Sequence, residues 1–217
     1  MKSKRNIVLM WGVSLVPAII LTAIYGRMPE TVPTSFGFDG TINAYGPKYT
    51  LWMMAGMGPL LALLFQFIPR IDPLKRNYAK FQRYYDTFTI ALELFLLGLD
   101  SMLFMEILRP GTVSIGRAVT VLICLLFLIM GNMMGKIRHN YFFGIRTPWT
   151  LADPDVWNRT HRAGGWMYFV IGLVLLPCCL LLPEKVFFVL LMAGVLGSTA
   201  ALLVLSYLWY RGKHTGK

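Results

Sequence analysis

The sequence predicts an all-α integral membrane protein of six transmembrane helices, with both termini in the cytoplasm. Three observations carry that reading. Of the 217 residues, 56% are hydrophobic and only 14% charged, against about 25% charged in an ordinary soluble domain. Six apolar runs are each long enough to cross about 30 Å of hydrocarbon at about 1.5 Å per residue. The basic residues are sorted between alternate loops, and an excess of Lys and Arg marks the cytoplasmic side.

The runs are Ile7–Tyr25, Thr50–Ile68, Thr87–Leu108, Ala118–Gly135, Trp166–Leu182 and Val186–Tyr210. The first follows Lys2, Lys4 and Arg5 and so mimics a signal peptide. It is too long for an h-region and no small-x-small cleavage site follows, so it reads as a retained span. The fifth is near the lower length limit and carries Pro177, whereas the last exceeds the bilayer and should tilt. Of the 21 Lys and Arg, only Arg27, Lys48, Arg109, Arg117 and Lys185 fall on one side. The other sixteen share a side with both termini, which places both in the cytoplasm, N-in and C-in. The net charge of +11 is then a matter of topology and of attraction to anionic lipids, not of direct nucleic-acid binding.

The loops divide the chain into an N-terminal half, 1–110, and a C-terminal half, 111–217. Outer loop 26–49 is rich in Pro and Gly and predicts a compact irregular segment. The second loop predicts a short interfacial helix over 72–86, with Asp72 as cap and Pro73 at its first position. Leu74, Tyr78, Phe81 and Tyr85 recur there at helical spacing opposite Lys75, Arg76, Lys80 and Arg83, a pattern suited to an anionic leaflet. In loop 135–165, Asp153-Pro154 starts a second short helix, Pro154–Ala163, and Gly164-Gly165 reads as its stop.

Acidic residues within a span face a bundle interior, a cavity or a partner. Span three carries Glu93 and Asp100, seven residues and about 10 Å apart along one helix face. Glu106 lies near the outer end, within reach of water. The pair could relay protons, meet a cation, or take an interhelical hydrogen bond from Asn132, Ser198 or Thr199, and all three readings stay open. "GNMMG" and "GVLGSTAA" permit close helix contact. Cys124, Cys178 and Cys179 sit in apolar runs without ligand spacing and predict neither a disulfide nor a zinc site.

Loop 135–165 is the densest polar and aromatic segment. His139 and His161, with Asp153 and Asp155, supply acid–base types, yet no HExxH or comparable spacing supports a metal or cofactor. Composition therefore weighs a structural loop above catalysis. "NRT" at Asn158 matches a glycosylation sequon on the cytoplasmic side and is discounted.

The stretch "GNMMGKIRHNYFFGIRTPWTLADPDVWNRTHRAGG" resembles the signature of the SdpI family of bacterial membrane proteins. The resemblance rests on Asn140, the run Gly144 to Leu151, Trp157, and Arg162 to Gly165. Upstream, "MPETVPTSFGFDGTINAYGPKYTLW" is similar to the domain of unknown function that often precedes it, with Ser35 where a histidine is expected. The resemblance implies immunity against a secreted peptide toxin, and in some relatives capture of a cytoplasmic transcriptional repressor. On that reading Phe36, Phe38, Asp39 and Tyr45 face the arriving peptide, and Glu93, Asp100 and Asn132 form the intramembrane polar set. Asn140, Arg146, Trp149, Trp157, His161 and Arg162 then make the cytoplasmic site, with no catalytic or metal residue assigned. A proton-coupled transporter or lipid flippase using Glu93 and Asp100 is the alternative. A membrane enzyme acting on lipid or peptide at the cytoplasmic loop is a third.

Overall fold

Residues 4–37 and 40–215 are described by a computed structural model. Helix α1 (Lys4–Ile24) leads through a single helical turn to a two-stranded hairpin, β1 (Thr31–Phe36) and β2 (Ile42–Pro47). Then come α2 (Thr50–Ala55), α3 (Met57–Ile71), α4 (Lys75–Leu108), α5 (Ile115–Met134), α6 (Pro148–Ala152), α7 (Pro154–Leu181) and α8 (Glu184–His214). Among the described residues, six segments are long and apolar enough to cross a membrane: α1, α2 with α3, α4, α5, α7 and α8. The chain is thus a multi-pass helical membrane protein. One end of the bundle carries the basic loops and the other carries the hairpin.

Three local expectations are corrected. The outer loop is a hairpin rather than irregular coil, pairing Thr31 with Pro47, Val32 with Gly46 and Pro33 with Tyr45 before the register shifts beyond Pro33. A proline inside a candidate strand argues against that assignment, which hid it. Burial explains it: Val32 is fully buried among Leu21, Met28, Leu51, Ala55, Leu103 and Phe104. The Gly37 amide donates to Thr41 O at 2.7 Å, and Gly40 takes φ +76°, a conformation that favours glycine.

Next, the basic helix and the third span are one 34-residue helix, kinked at Phe81 (φ −134°). The helix begins at Lys75, and Asp72 instead accepts the Leu74 amide at 2.7 Å. Tyr78, Phe81 and Tyr85 do not meet lipid. They are buried with Met134, Ile137 and Trp157 in the core of the basic end, while Lys75, Arg76, Lys80 and Arg83 remain exposed.

Finally, α7 runs straight through Gly164-Gly165. Those glycines serve helix crossing, not termination. A Cβ at Gly165 would stand 2.8 Å from Gly131 O, and one at Gly131 would stand 2.4 Å from Phe169 N. Helices α5 and α7 therefore meet backbone to backbone, which stabilises them by close packing. The second small-residue motif makes no such backbone contact: a Cβ at Gly194 would meet only the Ile171 side chain, at 3.5 Å, and Gly197 faces open space.

Candidate functional site

At the basic end the segment from Ile137 to Asp153 folds into a platform over α4 and α7. Asn140 is fully buried and has no free hydrogen-bonding capacity to offer a ligand. Its Oδ1 accepts from the Phe142 and Phe143 amides at 3.0 and 2.6 Å, and its Nδ2 donates to Arg138 O and Phe143 O, both at 2.9 Å. Asp72, also buried, ties this turn to the start of α4 by accepting from Tyr78 Oη and the Tyr141 amide, each at 3.0 Å.

Beneath the turn, Trp157 and His161 stack with ring centroids 4.0 Å apart. Trp157 Nε1 donates to Ile137 O at 3.0 Å. The Ile145 amide can only donate, so His161 Nε2, 3.0 Å away, carries the lone pair. Its Nδ1 then donates to Trp157 O at 2.9 Å. Neutral His161 thus spends both nitrogens inside the protein and offers no lone pair to a metal. His139 likewise points Nε2 at Leu151 O, 3.1 Å away.

Helix α6 opens on a reciprocal Thr147–Thr150 capping box. Thr147 Oγ1 lies 3.1 Å from Ser206 Oγ of α8, and Trp149 packs on Tyr207 at 5.1 Å. Asp153 caps α7 through the Asp155 and Val156 amides and meets Lys213 Nζ at 2.8 Å and His214 Nε2 at 3.2 Å. Burial alone would raise the Asp153 carboxyl. The Lys213 ammonium, the two amides and His214 outweigh burial and hold it well below the usual carboxylate range. A depressed folded-state value contributes stability above the unfolded value of about 4 and loses it as pH falls through the folded one. Asp153→Asn should therefore melt at a lower temperature than wild type at pH 8 and still at pH 5, with the gap closing only in strong acid. An equal melting temperature at pH 5 would refute the clamp.

The exposed residues of the platform are the ones free to act. Arg146 is exposed, and its Nη1 donates to Tyr141 O at 2.9 Å, which braces the guanidinium and leaves its other donors outward. Arg162 is exposed on α7, as are Tyr141 and Phe142 beside Arg146.

Within the bundle, Glu93 is 1% exposed, and neither carboxylate oxygen has a hydrogen-bond partner among the described residues. A Cβ at Gly58 would stand 3.0 Å from Glu93 Oε2 and 3.2 Å from Ser14 O. The carboxyl group therefore fills the junction of α1, α3 and α4, in space that a glycine leaves. One turn pair further along α4, Asp100 lines a cavity of about 280 Å³ together with Phe36 of the hairpin. Asn132 is exposed on the flank of α5, while Ser198 and Thr199 bond to Val195 O of their own helix. None of the three expected donors reaches the pair. Tyr45 is exposed on β2, away from that cavity's lining. Phe38 and Asp39 lie outside the described residues.

A buried Asn140 and a glycine-bounded turn between α5 and α7, over a Trp157–His161 stack in the first turns of α7, form a signature that can be compared with known proteins. Residues 136–207 match the SdpI/YfhL protein family. The C-terminal part of the chain is thus similar to that family. Residues 12–58 match a domain of unknown function (DUF1648), and Ser35 falls within it, exposed on β1. Over 96% of its length the chain is 24% identical to the immunity protein SdpI of Bacillus subtilis (strain 168), covering 97% of that protein. No solved structure matches.

Most of the SdpI region's residues singled out in the sequence are brought together, but as a scaffold: Asn140, Trp157 and His161 hold the platform that presents Arg146. Sequence reasoning missed Asp72, Tyr78, Thr147 and Ser206 as parts of it. It also missed Asp86, buried where α1 meets α4 and bonded to Asn6 Nδ2 at 2.8 Å and Gln82 Nε2 at 2.7 Å. The signal for Asp86 was present: one acid closing the run "RNYAKFQRYYD" just before an apolar span.

Proposed function

We propose that this chain is a bacterial membrane immunity protein that protects its cell from a secreted antimicrobial peptide. The observation that carries the reading is the end-to-end similarity to an immunity protein. In this reading the hairpin end faces outward and receives the peptide. The basic end is cytoplasmic, and Arg146 offers a carboxylate or phosphate of a cytoplasmic partner a planar pair of donors. That partner is a transcriptional repressor if the chain also signals. Expression in a toxin-sensitive strain should raise survival under the peptide at least tenfold, and unchanged survival would refute the reading.

Orientation has its own test. In a background lacking the native cysteines, Asn43→Cys on β2 should react with an impermeant thiol reagent in intact cells, and Ala152→Cys on α6 should not. Both side chains are exposed, whereas Thr150 is fully buried and would resist labelling on either side. Reaction at Ala152→Cys alone would invert the topology.

A second reading, proton-coupled transport or lipid flipping, is favoured by one specific feature: Glu93 is buried with no hydrogen-bond partner among the described residues. Resistance that collapses when the proton gradient is dissipated would select it.

A further inference from the structure

We propose that the cavity beneath the hairpin binds an amphipathic primary amine, an apolar body carrying one ammonium group. The cavity lies between the hairpin and helices α2 to α5, with Thr34 and Phe36 contributed by β1, Met54 and Met57 by the broken second span, and Ile115 by α5. Among the described residues its lining holds a single charged side chain, Asp100, which is 7% exposed. Among the described residues, none donates a hydrogen bond or an ion pair to that carboxylate, and no Lys, Arg or His lines the space. A buried carboxylate is costly until a cation or donor meets it, so an occupant that brings its own ammonium relieves that cost.

The rest of the lining sets the occupant's body. Methionine thioethers, leucines and a phenyl ring shape themselves to an apolar group, and about 280 Å³ lies just below the roughly 300–1,000 Å³ of drug-sized pockets. The ligand is therefore small. An ammonium suits the polar end better than a guanidinium, because the side-chain acceptors in the lining are few, the Asp100 carboxylate and the Thr34 hydroxyl oxygen, and leave fewer of three donors unmet than of five. The proposal does not depend on the immunity reading, and its test needs no toxin.

The full chain in nanodiscs of zwitterionic lipid is titrated with ring-fluorinated phenylbutylamine and with its neutral analogue phenylbutanol, followed by fluorine NMR. Wild type should bind the amine saturably and the alcohol at least about tenfold more weakly, the difference expected of a charge-assisted hydrogen bond. Asp100→Asn should bring the amine down to the alcohol's affinity. Val119→Phe, which fills the cavity while leaving Asp100 in place, should abolish saturable binding of both. Equal affinity for amine and alcohol in wild type, undiminished amine binding in Asp100→Asn, retained binding in Val119→Phe, or no saturable binding at all would each overturn the site.

Discussion

Gly144→Ala is expected to collapse the platform. Gly144 has φ +116°, a backbone region from which L side chains are excluded and whose strain costs about 1–3 kcal/mol. A Cβ there would also stand 2.3 Å from His161 Nε2. His161 cannot retreat without breaking its bonds to Ile145 and Trp157, so overpacking adds about 1–3 kcal/mol. Together these approach half of a typical stability of about 5–15 kcal/mol. Thermal melting of the purified protein should fall steeply, and protease should cut within 137–153. Gly197→Ala is the control, since its Cβ would meet nothing within 4 Å and alanine favours helix. Equal melting of the two variants would dissolve the argument.

Arg146→Lys should cost most of the protective activity, at least tenfold in survival, while abundance and melting temperature stay at wild-type values. The guanidinium already gives one donor to Tyr141 O and keeps a planar set of outward donors for a bidentate anion. A lysine ammonium can replace the first contact but not the planar pair. If Arg146 is only a snorkelling lipid contact, lysine serves nearly as well, and full survival of the variant would show it. Because the side chain is exposed, folding and function should separate cleanly here, unlike at Gly144.

The polar residues of the platform were legible as a set but not by role. Asn140, Trp157 and His161 stood out because polar and aromatic groups are conspicuous between apolar spans. That conspicuousness could not say whether His161 Nε2 faces a ligand or the Ile145 amide. Only the fold places that amide 3.0 Å away and turns a candidate acid–base group into a strut. Asn132 went the other way: a lone asparagine in a span suggested an interior partner, yet it lies on the outer flank of α5.

The sequence by itself determined the six spans, the sorting of basic residues between the two ends, and the Asp153-Pro154 helix start. Each depends on local quantities: apolar length against bilayer thickness, charge in a loop, a side chain reaching its own backbone. Tertiary structure alone decided what covers each face. The Tyr78, Phe81 and Tyr85 stripe has the same period whether lipid or Trp157 lies against it, and Gly164-Gly165 can end a helix or admit another. Helical periodicity says which side chains share a face, but not what packs there. Nor could it reveal that Phe36 and Asp100, 64 residues apart in number, line one cavity, because that contact exists only once the hairpin folds over α4.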